Sequence, residues 1–411
     1  MRSVVVVGAG QGGVSAVESL RERGFDGDIT LVDASHELPY RRPPLSKAYL
    51  SGEVDRASLS FRPPRFYEEV AIRLELGSAA AHVDHSRRRV TLASGLALRY
   101  DHLVLALGST PRRWTGEGCD LAGIHYLGAA EDADRLREGM KQAATLTVIG
   151  GGFIGLEVAS TAAKAGLRVT VLESSDRVMA RALSPIASEH LTQRHRNLGV
   201  DVRTKVTVDA IVGSAGAVSG VRLGSGEIVP SELVLVGIGS QAVTSPLDST
   251  FIDASLRAIR VNELLLSDDM NISAIGDAAA FPRNDARIRL ESVQNAADQG
   301  RAVAARLTGV PSRYSAVPWF WTEQAGVKVQ MAGLASGATE FVVRGNADAG
   351  RFSVFSFHDG QLLGAESFGR SADHIAVRNL LAAHAPLRPD QASDNEFDLA
   401  AYAKAASIAS A

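Results

Sequence analysis

A chain of 411 residues is too long for one ordinary core, and at roughly 100 to 200 residues per domain it implies two to four of them. Its 45% hydrophobic and 22% charged residues describe a folded globular protein, and a net charge of -3 argues against a nucleic-acid binder, which needs clustered positive charge. There is no run of about 20 apolar residues to span a bilayer, and Cys119, the single cysteine, excludes an intramolecular disulfide.

Met1-Arg2-Ser3 leads straight into valines, without the apolar stretch of about 7 to 15 residues and the small-residue cleavage site of a secretory signal. The expected location is the cytoplasm. Val4 to Val7 is a β-branched run of the kind buried on both faces of a parallel sheet, and it ends in Gly8-Ala9-Gly10-Gln11-Gly12-Gly13. In this dinucleotide fingerprint Gly8 allows the tight turn, Gly10 lets the backbone approach a pyrophosphate, and Gly13 brings the helix expected over Val14 to Arg23 close to the strand. A strand over Asp28 to Val32 then delivers Asp33, about 20 residues after Gly13, where a ribose-binding acid belongs.

Tyr40-Arg41-Arg42-Pro43-Pro44-Leu45-Ser46-Lys47 follows, opening a second helix beside the cofactor. Leu59 to Val70 reads as a loop and helix, and Val90 to Leu92 with Ala97 to Tyr100 as a hairpin around Ser94-Gly95. The apolar stretch after Tyr100 stops at Gly108-Ser109-Thr110-Pro111, a turn at which the chain can leave one domain for another.

At Leu146 the opening pattern starts again. Leu146 to Ile149 runs into Gly150-Gly151-Gly152-Phe153-Ile154-Gly155, with a helix expected over Leu156 to Ala165. Gly150, Gly152 and Gly155 repeat the spacing of Gly8, Gly10 and Gly13, and a strand from Arg168 to Leu172 delivers Glu173. A carboxylate there accepts from a free 2′-hydroxyl and repels a 2′-phosphate, so NADH is expected over NADPH, with Arg177 the one cation close by.

Short strands and turns fill Val200 to Leu223. Asn271 to Asp277 reads as an apolar strand ending in an exposed carboxylate suited to a sugar or ribityl hydroxyl. Ser292 is expected to cap a long alanine-rich helix reaching about Leu307, its positive end available to a flavin carbonyl. From Val317-Pro318-Trp319-Phe320-Trp321 onward, strands such as Lys328 to Met331 and Phe352 to Phe357 alternate with turns, as in a small α+β domain.

Taken together, Arg-Pro-Pro-Leu-Ser-Lys at 42 to 47, Ile-Gly-Gly-Gly-Phe-Ile-Gly-Leu-Glu at 149 to 157, Ile-Gly-Asp at 275 to 277, Glu-Ser-Val-Gln-Asn-Ala at 291 to 296 and Trp-Phe-Trp at 319 to 321 resemble the ferredoxin-reductase group of two-dinucleotide flavoproteins over nearly the whole chain. The fold this resemblance implies is α/β, with two Rossmann-like, glutathione-reductase-like dinucleotide-binding domains and a small C-terminal α+β domain. Residues 1–112 and 244–315 would form the FAD domain, 113–243 the NADH domain and 316–411 the C-terminal domain. Many such flavoenzymes carry a redox-active cysteine or disulfide near position 42 to 47; this chain has none and must move electrons without a thiol.

The activity implied is that of an FAD-dependent NADH:ferredoxin reductase. NADH gives a hydride to FAD, and single electrons pass to a [2Fe-2S] ferredoxin serving a P-450-type haem monooxygenase or a Rieske oxygenase. Catalytic positions are Lys47, Glu157 and Trp321, with Lys47 and Glu157 meeting behind the flavin. Cofactor positions, from the fingerprints and the resemblance, are Gly8, Gly10, Gly12, Gly13, Asp33, Ala34, Arg42, Lys47, Ala80, Ala106, Gly108, Gly150, Gly152, Ile154, Gly155, Glu173, Arg181, Gly239, Asp277, Val293 and Trp321. No metal site is expected.

The chain departs from the family pattern in three places. Gly128 stands where an arginine is usual, Gln241-Ala242-Val243 replaces Val-Pro-Asn, and Ser249 to Arg260 lacks the familiar glycines. The ferredoxin is expected to be a transient, electrostatically steered partner, drawn to Arg62, Arg65, Arg283, Arg287, Arg289, Lys328 or Arg344. The protein is expected to be a monomer or weak dimer, with no membrane and no nucleic-acid partner. The rival readings on the same architecture are an NADH:quinone-type reductase and a flavin redox sensor.

Overall fold

The computed structural model describes residues 1–311 and 313–409; the last two positions of the expected 316–411 domain lie outside them. The chain divides into two compact units, one made of Met1–Arg42, Asp55–Thr110 and Ser240–Ala316, the other of Pro43–Val54, Pro111–Gly239 and the residues from Val317 onward. Pro43–Val54 therefore clusters with the second unit, although the sequence reading placed it inside the 1–112 segment.

The first unit is built on a five-stranded parallel sheet in the order Ile272–Ala274, His102–Leu105, Ser3–Val7, Asp28–Val32, Ile72–Glu75. Val4 to Val7 and Leu103 to Leu105 are buried, as strands covered on both faces must be. The helices Gln11–Glu22 and Val293–Leu307 pack closely against each other because Gly300 lacks a side chain: a Cβ there would come within 2.6 Å of the Gly12 carbonyl oxygen. Ser292 caps the second helix, its Oγ accepting from the Asn295 N–H at 3.3 Å. The expected hairpin forms the antiparallel pair Arg89–Leu92 and Ala97–Arg99.

The second unit contains another five-stranded parallel sheet, ordered Asp201–Arg203, Arg168–Leu172, Thr145–Ile149, Leu233–Val236, Ile124–His125. Its C-terminal part is an antiparallel sheet ordered Trp319–Gln324, Val327–Gly333, Gln361–Phe368, Arg351–His358, Glu340–Asn346. The helices Ser371–Ala382 and Leu399–Ala409 contribute Val377, Leu380, Leu399 and Ala403 to a core shared with Phe355 and Phe357 of that sheet.

Both fingerprint helices start three residues earlier than expected, at Gln11 and Phe153. The expectation began each helix at the first apolar residue after the last glycine, but Gly12, Gly13 and Gly155 are themselves helical. Gly10 and Gly152 are the extended caps.

Candidate functional site

In the first unit the strand Ser3–Val7 hands the chain to its helix through a turn that only glycine can make in two places. Gly8 has φ +103° and a Cβ on it would lie 2.1 Å from the Ala106 carbonyl oxygen; one on Gly13 would lie 1.8 Å from the Gly8 oxygen. Those two glycines are needed for the fold itself. Gly10 differs: a Cβ there meets nothing within 4 Å. Its bare backbone faces space that protein packing leaves open, at a helix N-terminus whose first N–H groups attract anions.

Asp33 stands at the end of the next strand, one carboxylate oxygen accepting from the Ala9 N–H at 2.6 Å and the other from the Ser35 N–H at 2.8 Å. A carboxylate has further lone pairs for a hydroxyl beyond these two bonds. Ala9, Gly10, Asp33, Ser35, Tyr40 and Arg42 line one cleft. Arg42 also reaches Gly108, where a Cβ would lie 3.7 Å from its guanidinium. Ala34 is exposed beside Asp33, and Ala80 is partly exposed, two residues past Ser78, whose N–H donates to the Asp33 carbonyl.

Asp277 corrects an expectation. It lies in a short 3-10 turn rather than at a strand end, and it is not an exposed carboxylate: it is partly covered and accepts from Ser109 Oγ at 2.8 Å. Burial raises its pKa, against the opposing pull of the Ser109 hydrogen bond and of Arg289 and Arg42. Val293, partly exposed, begins the helix beside that turn; Gln299 of the same helix, fully buried, accepts from the Gly276 N–H at 2.7 Å.

The second unit repeats the device. A Cβ on Gly150 (φ +106°) would meet the Gly237 oxygen at 2.3 Å and one on Gly155 the Gly150 oxygen at 2.2 Å, while on Gly152 it would again meet nothing within 4 Å. Glu173 accepts from the Gly151 N–H and the Ser175 N–H, both at 2.7 Å, reproducing the Asp33 arrangement one fingerprint later. Ile154 is 45% exposed although apolar, on the first turn of its helix. Arg181 is exposed and approaches Gly239 (φ +97°). Arg177 is engaged elsewhere, with Asp176 at 3.1 Å and the Ala180 carbonyl at 3.0 Å.

Lys47 and Glu157 meet in this unit. The Lys47 ammonium lies 2.6 Å from Glu157 Oε2, which also accepts from Ser46 Oγ; Glu157 Oε1 accepts from Thr322 Oγ1 at 2.6 Å. Glu157 is buried, and Lys47 keeps part of its surface open. Trp321 is the strand neighbour of Thr322 on the opposite face, partly exposed, its ring 5.6 Å from that of Trp319. Sequence reasoning missed Ser46, Ser109 and Thr322; the readable signal for Thr322 was a hydroxyl and an amide, Gln324, alternating on the buried face of an aromatic-rich strand.

Gly128 has its own role in this unit: its N–H and that of Ala129 both donate to Asp132 at 2.9 Å, closing the start of the helix Ala130–Gln142. A Cβ on Gly128 would press on Pro111 at 2.7 Å, so a larger residue needs a different local path. Of the cations considered for steering, Arg344 is corrected: it is only 5% exposed and donates to backbone carbonyls of Asp394 and Phe397. Arg283 donates to Ala316 O, Arg287 to Val261 O, and Arg289 pairs with Glu291. Arg62 pairs with Glu18 and Lys328 with Glu323 at the surface, where Arg65 is also exposed.

Residues 2–300 match the family described as pyridine nucleotide-disulphide oxidoreductase, and residues 319–403 match a reductase C-terminal family. The chain belongs to the pyridine nucleotide-disulphide oxidoreductase family. It is 46% identical to rhodocoxin reductase of Rhodococcus erythropolis, across 97% of this chain and 93% of that one. Among solved structures it is similar to the ferredoxin reductase for the CYP199A2 system of Rhodopseudomonas palustris, at 39% identity, TM-score 0.92 and coverage of 98% and 100%. It is likewise similar to the covalent putidaredoxin reductase–putidaredoxin complex, at 35% identity, TM-score 0.92 and 99% of both chains. This member of the pyridine nucleotide-disulphide oxidoreductase family has no disulphide to offer, since Cys119 is its one cysteine. Among the described residues no group of three or more His, Cys, Asp or Glu side chains is placed to hold a metal ion, and no helix is long and apolar enough to cross a membrane.

Proposed function

We propose that the chain is an NADH-dependent, FAD-containing reductase whose electron acceptor is a small [2Fe-2S] ferredoxin of an oxygenase system. The observation that carries this reading is the Lys47–Glu157 ion pair, at 2.6 Å, in a chain with two dinucleotide fingerprints and no thiol to receive electrons. Rhodocoxin reductase and the putidaredoxin complex support the class of acceptor.

The residues fit two dinucleotides. Gly10 and Gly152 are the fingerprint glycines whose missing Cβ serves no packing need, and each lies beside an acid with spare lone pairs. In this reading 1–112 with 244–315 holds FAD, 113–243 holds NADH, and 316–411 forms a C-terminal α+β domain. Gly8, Gly10, Gly12 and Gly13 present the first helix to the FAD pyrophosphate, with Arg42 adding a cation. Asp33, beside Ala34, takes the adenosine ribose. Ala80, Ala106, Gly108, Asp277 and Val293 complete that set, Asp277 supplying an acceptor for a ribityl hydroxyl. Gly150, Gly152 and Gly155 do the same for NADH, Glu173 selecting the free 2′-hydroxyl, with Ile154, Arg181 and Gly239 around it.

Bound FAD supplies the chemistry of accepting an electron pair and releasing it one electron at a time. The protein contributes charge and order. Lys47 brings a fixed positive charge to the ring and Glu157 keeps it in place, the arrangement expected where negative charge develops during reduction. Trp321 supplies an aromatic surface at the same site.

Anaerobic titration tests the reading: the FAD-loaded protein is expected to lose its visible flavin absorption with one equivalent of NADH, and to regain it when oxidised [2Fe-2S] ferredoxin is added. Flavin that NADH leaves oxidised overturns it.

A further inference from the structure

Behind Glu157 the polar contacts continue into the core of the same unit. Thr322 Oγ1 accepts from Gln324 Nε2 at 2.9 Å, and Gln324 Oε1 lies 2.7 Å from His195 Nε2. Thr322, Gln324 and His195 are all buried, at 0%, 3% and 0% exposure. The second hydrogen of the Gln324 amide faces Met179 Sδ at 3.8 Å, so the amide has no spare group.

Counting protons gives this chain one direction. Glu157, paired with Lys47, accepts only, so the single hydroxyl hydrogen of Thr322 points at it. Thr322 can then only accept from Gln324, which must turn its NH₂ toward the hydroxyl and its carbonyl toward His195. His195 must therefore carry its proton on Nε2, and its buried Nδ1 is left without a partner among the described residues. Burial lowers the pKa of the imidazole, against the opposing hydrogen bond with Gln324. A buried hydrogen-bond chain satisfied in a single arrangement rigidifies whatever it ends on.

We propose that His195, Gln324 and Thr322 form a one-way hydrogen-bond relay whose function is to position Glu157, leaving Oε2 to Lys47 and Ser46 by occupying Oε1. The three are positioning residues, and the inference rests on the role assigned above to Lys47 and Glu157. Apolar residues would fill the same core without the cost of burying polar groups, so the run of three polar side chains ending on one functional carboxylate serves orientation more than stability.

The test follows the side-chain nitrogens of ¹⁵N-histidine-labelled, FAD-loaded protein by NMR, together with the rate at which NADH bleaches the flavin. In the wild type His195 is expected as a single Nε2–H tautomer, a result that needs no variant. In Thr322→Val the Gln324 amide is free to turn, the His195 tautomers mix, and bleaching slows about tenfold, the weight of one hydrogen bond to a charged group. Thr322→Ser restores both signals. A wild-type proton on Nδ1, or a Thr322→Val protein with tautomer and rate unchanged, overturns the relay. If NADH does not bleach the wild-type flavin the proposed function fails instead, and the tautomer still decides the relay.

Discussion

The ammonium of Lys47 lies 2.6 Å from the carboxylate of Glu157, a residue 110 positions later in the chain. Lys47 precedes a one-turn helix at Ala48–Ser51, and Glu157 belongs to the helix that the second fingerprint opens. Removing the amine by Lys47→Met leaves Glu157 with Ser46 and Thr322 as its side-chain donors among the described residues, a loss on the order of 1–3 kcal/mol. Stopped-flow mixing with NADH is expected to show flavin reduction slowed by about tenfold or more. Unchanged reduction removes Lys47 from the reaction.

The fingerprint glycines separate into two kinds that substitution can distinguish. Gly10→Ala puts a methyl into open space at φ -76°, which alanine adopts freely. The FAD-free variant is expected to melt within about 2 °C of wild type, with FAD affinity down by about tenfold or more. Gly13→Ala drives its Cβ to 1.8 Å from the Gly8 carbonyl and is expected to lower the melting temperature of the FAD-free protein itself. Isothermal titration and thermal melts read the two effects apart; a Gly10→Ala protein that binds FAD normally contradicts the assignment.

On the proposed assignment of Glu173 to the NADH ribose a 2′-phosphate would crowd it, and Arg177, the nearest cation in sequence, is already engaged with Asp176 and Ala180. Steady-state kcat/KM is expected to favour NADH over NADPH by about tenfold or more, and Glu173→Gln is expected to narrow the ratio. Equal efficiency with both nucleotides contradicts the role of Glu173.

Glu366 offers a pH test that reads folding stability and not electron transfer. It is 2% exposed, and burial pushes its carboxyl up to about 7 from 4.5 despite two bonds at 3.0 Å from Ser184, the N-cap of the helix Pro185–Asn197. The folded state thus holds a proton that the unfolded chain releases, so stability is full below pH 4.5, falls as pH rises toward about 7, and is level above. The total is on the order of 3 kcal/mol. Thermal melts from pH 5 to 8 are expected to show this decline in the wild type and a flatter profile in Glu366→Gln; identical profiles place the proton elsewhere.

Much of this arrangement could be read from the chain. Both fingerprints and their acids follow from strand runs and glycine spacing, because each depends on backbone shape that few residues allow, whereas the link from Lys47 to Glu157 came from the resemblance of the Arg-Pro-Pro-Leu-Ser-Lys stretch and the second fingerprint to the family. Asp277 was misread because its exposure depends on Ser109 and on a 3-10 turn, neither of which strand periodicity records. Arg344 was taken for a surface charge because its partners, the carbonyls around Asp394 to Phe397, lie about 50 residues away in sequence and belong to the backbone, which composition cannot reveal. The relay behind Glu157 needs three elements to converge, and only its Thr-x-Gln alternation is local.

Electron delivery from NADH to a [2Fe-2S] protein is tested most directly by ferredoxin-dependent cytochrome c reduction. With a panel of such ferredoxins, NADH-driven reduction is expected to rise steeply with at least one of them and to fall as salt is raised from low ionic strength, since screening weakens attraction between an acidic partner and surface cations such as Arg62, Arg65 and Lys328. Turnover indifferent to every ferredoxin would contradict the account; turnover that needs a ferredoxin but ignores salt would contradict the steering alone.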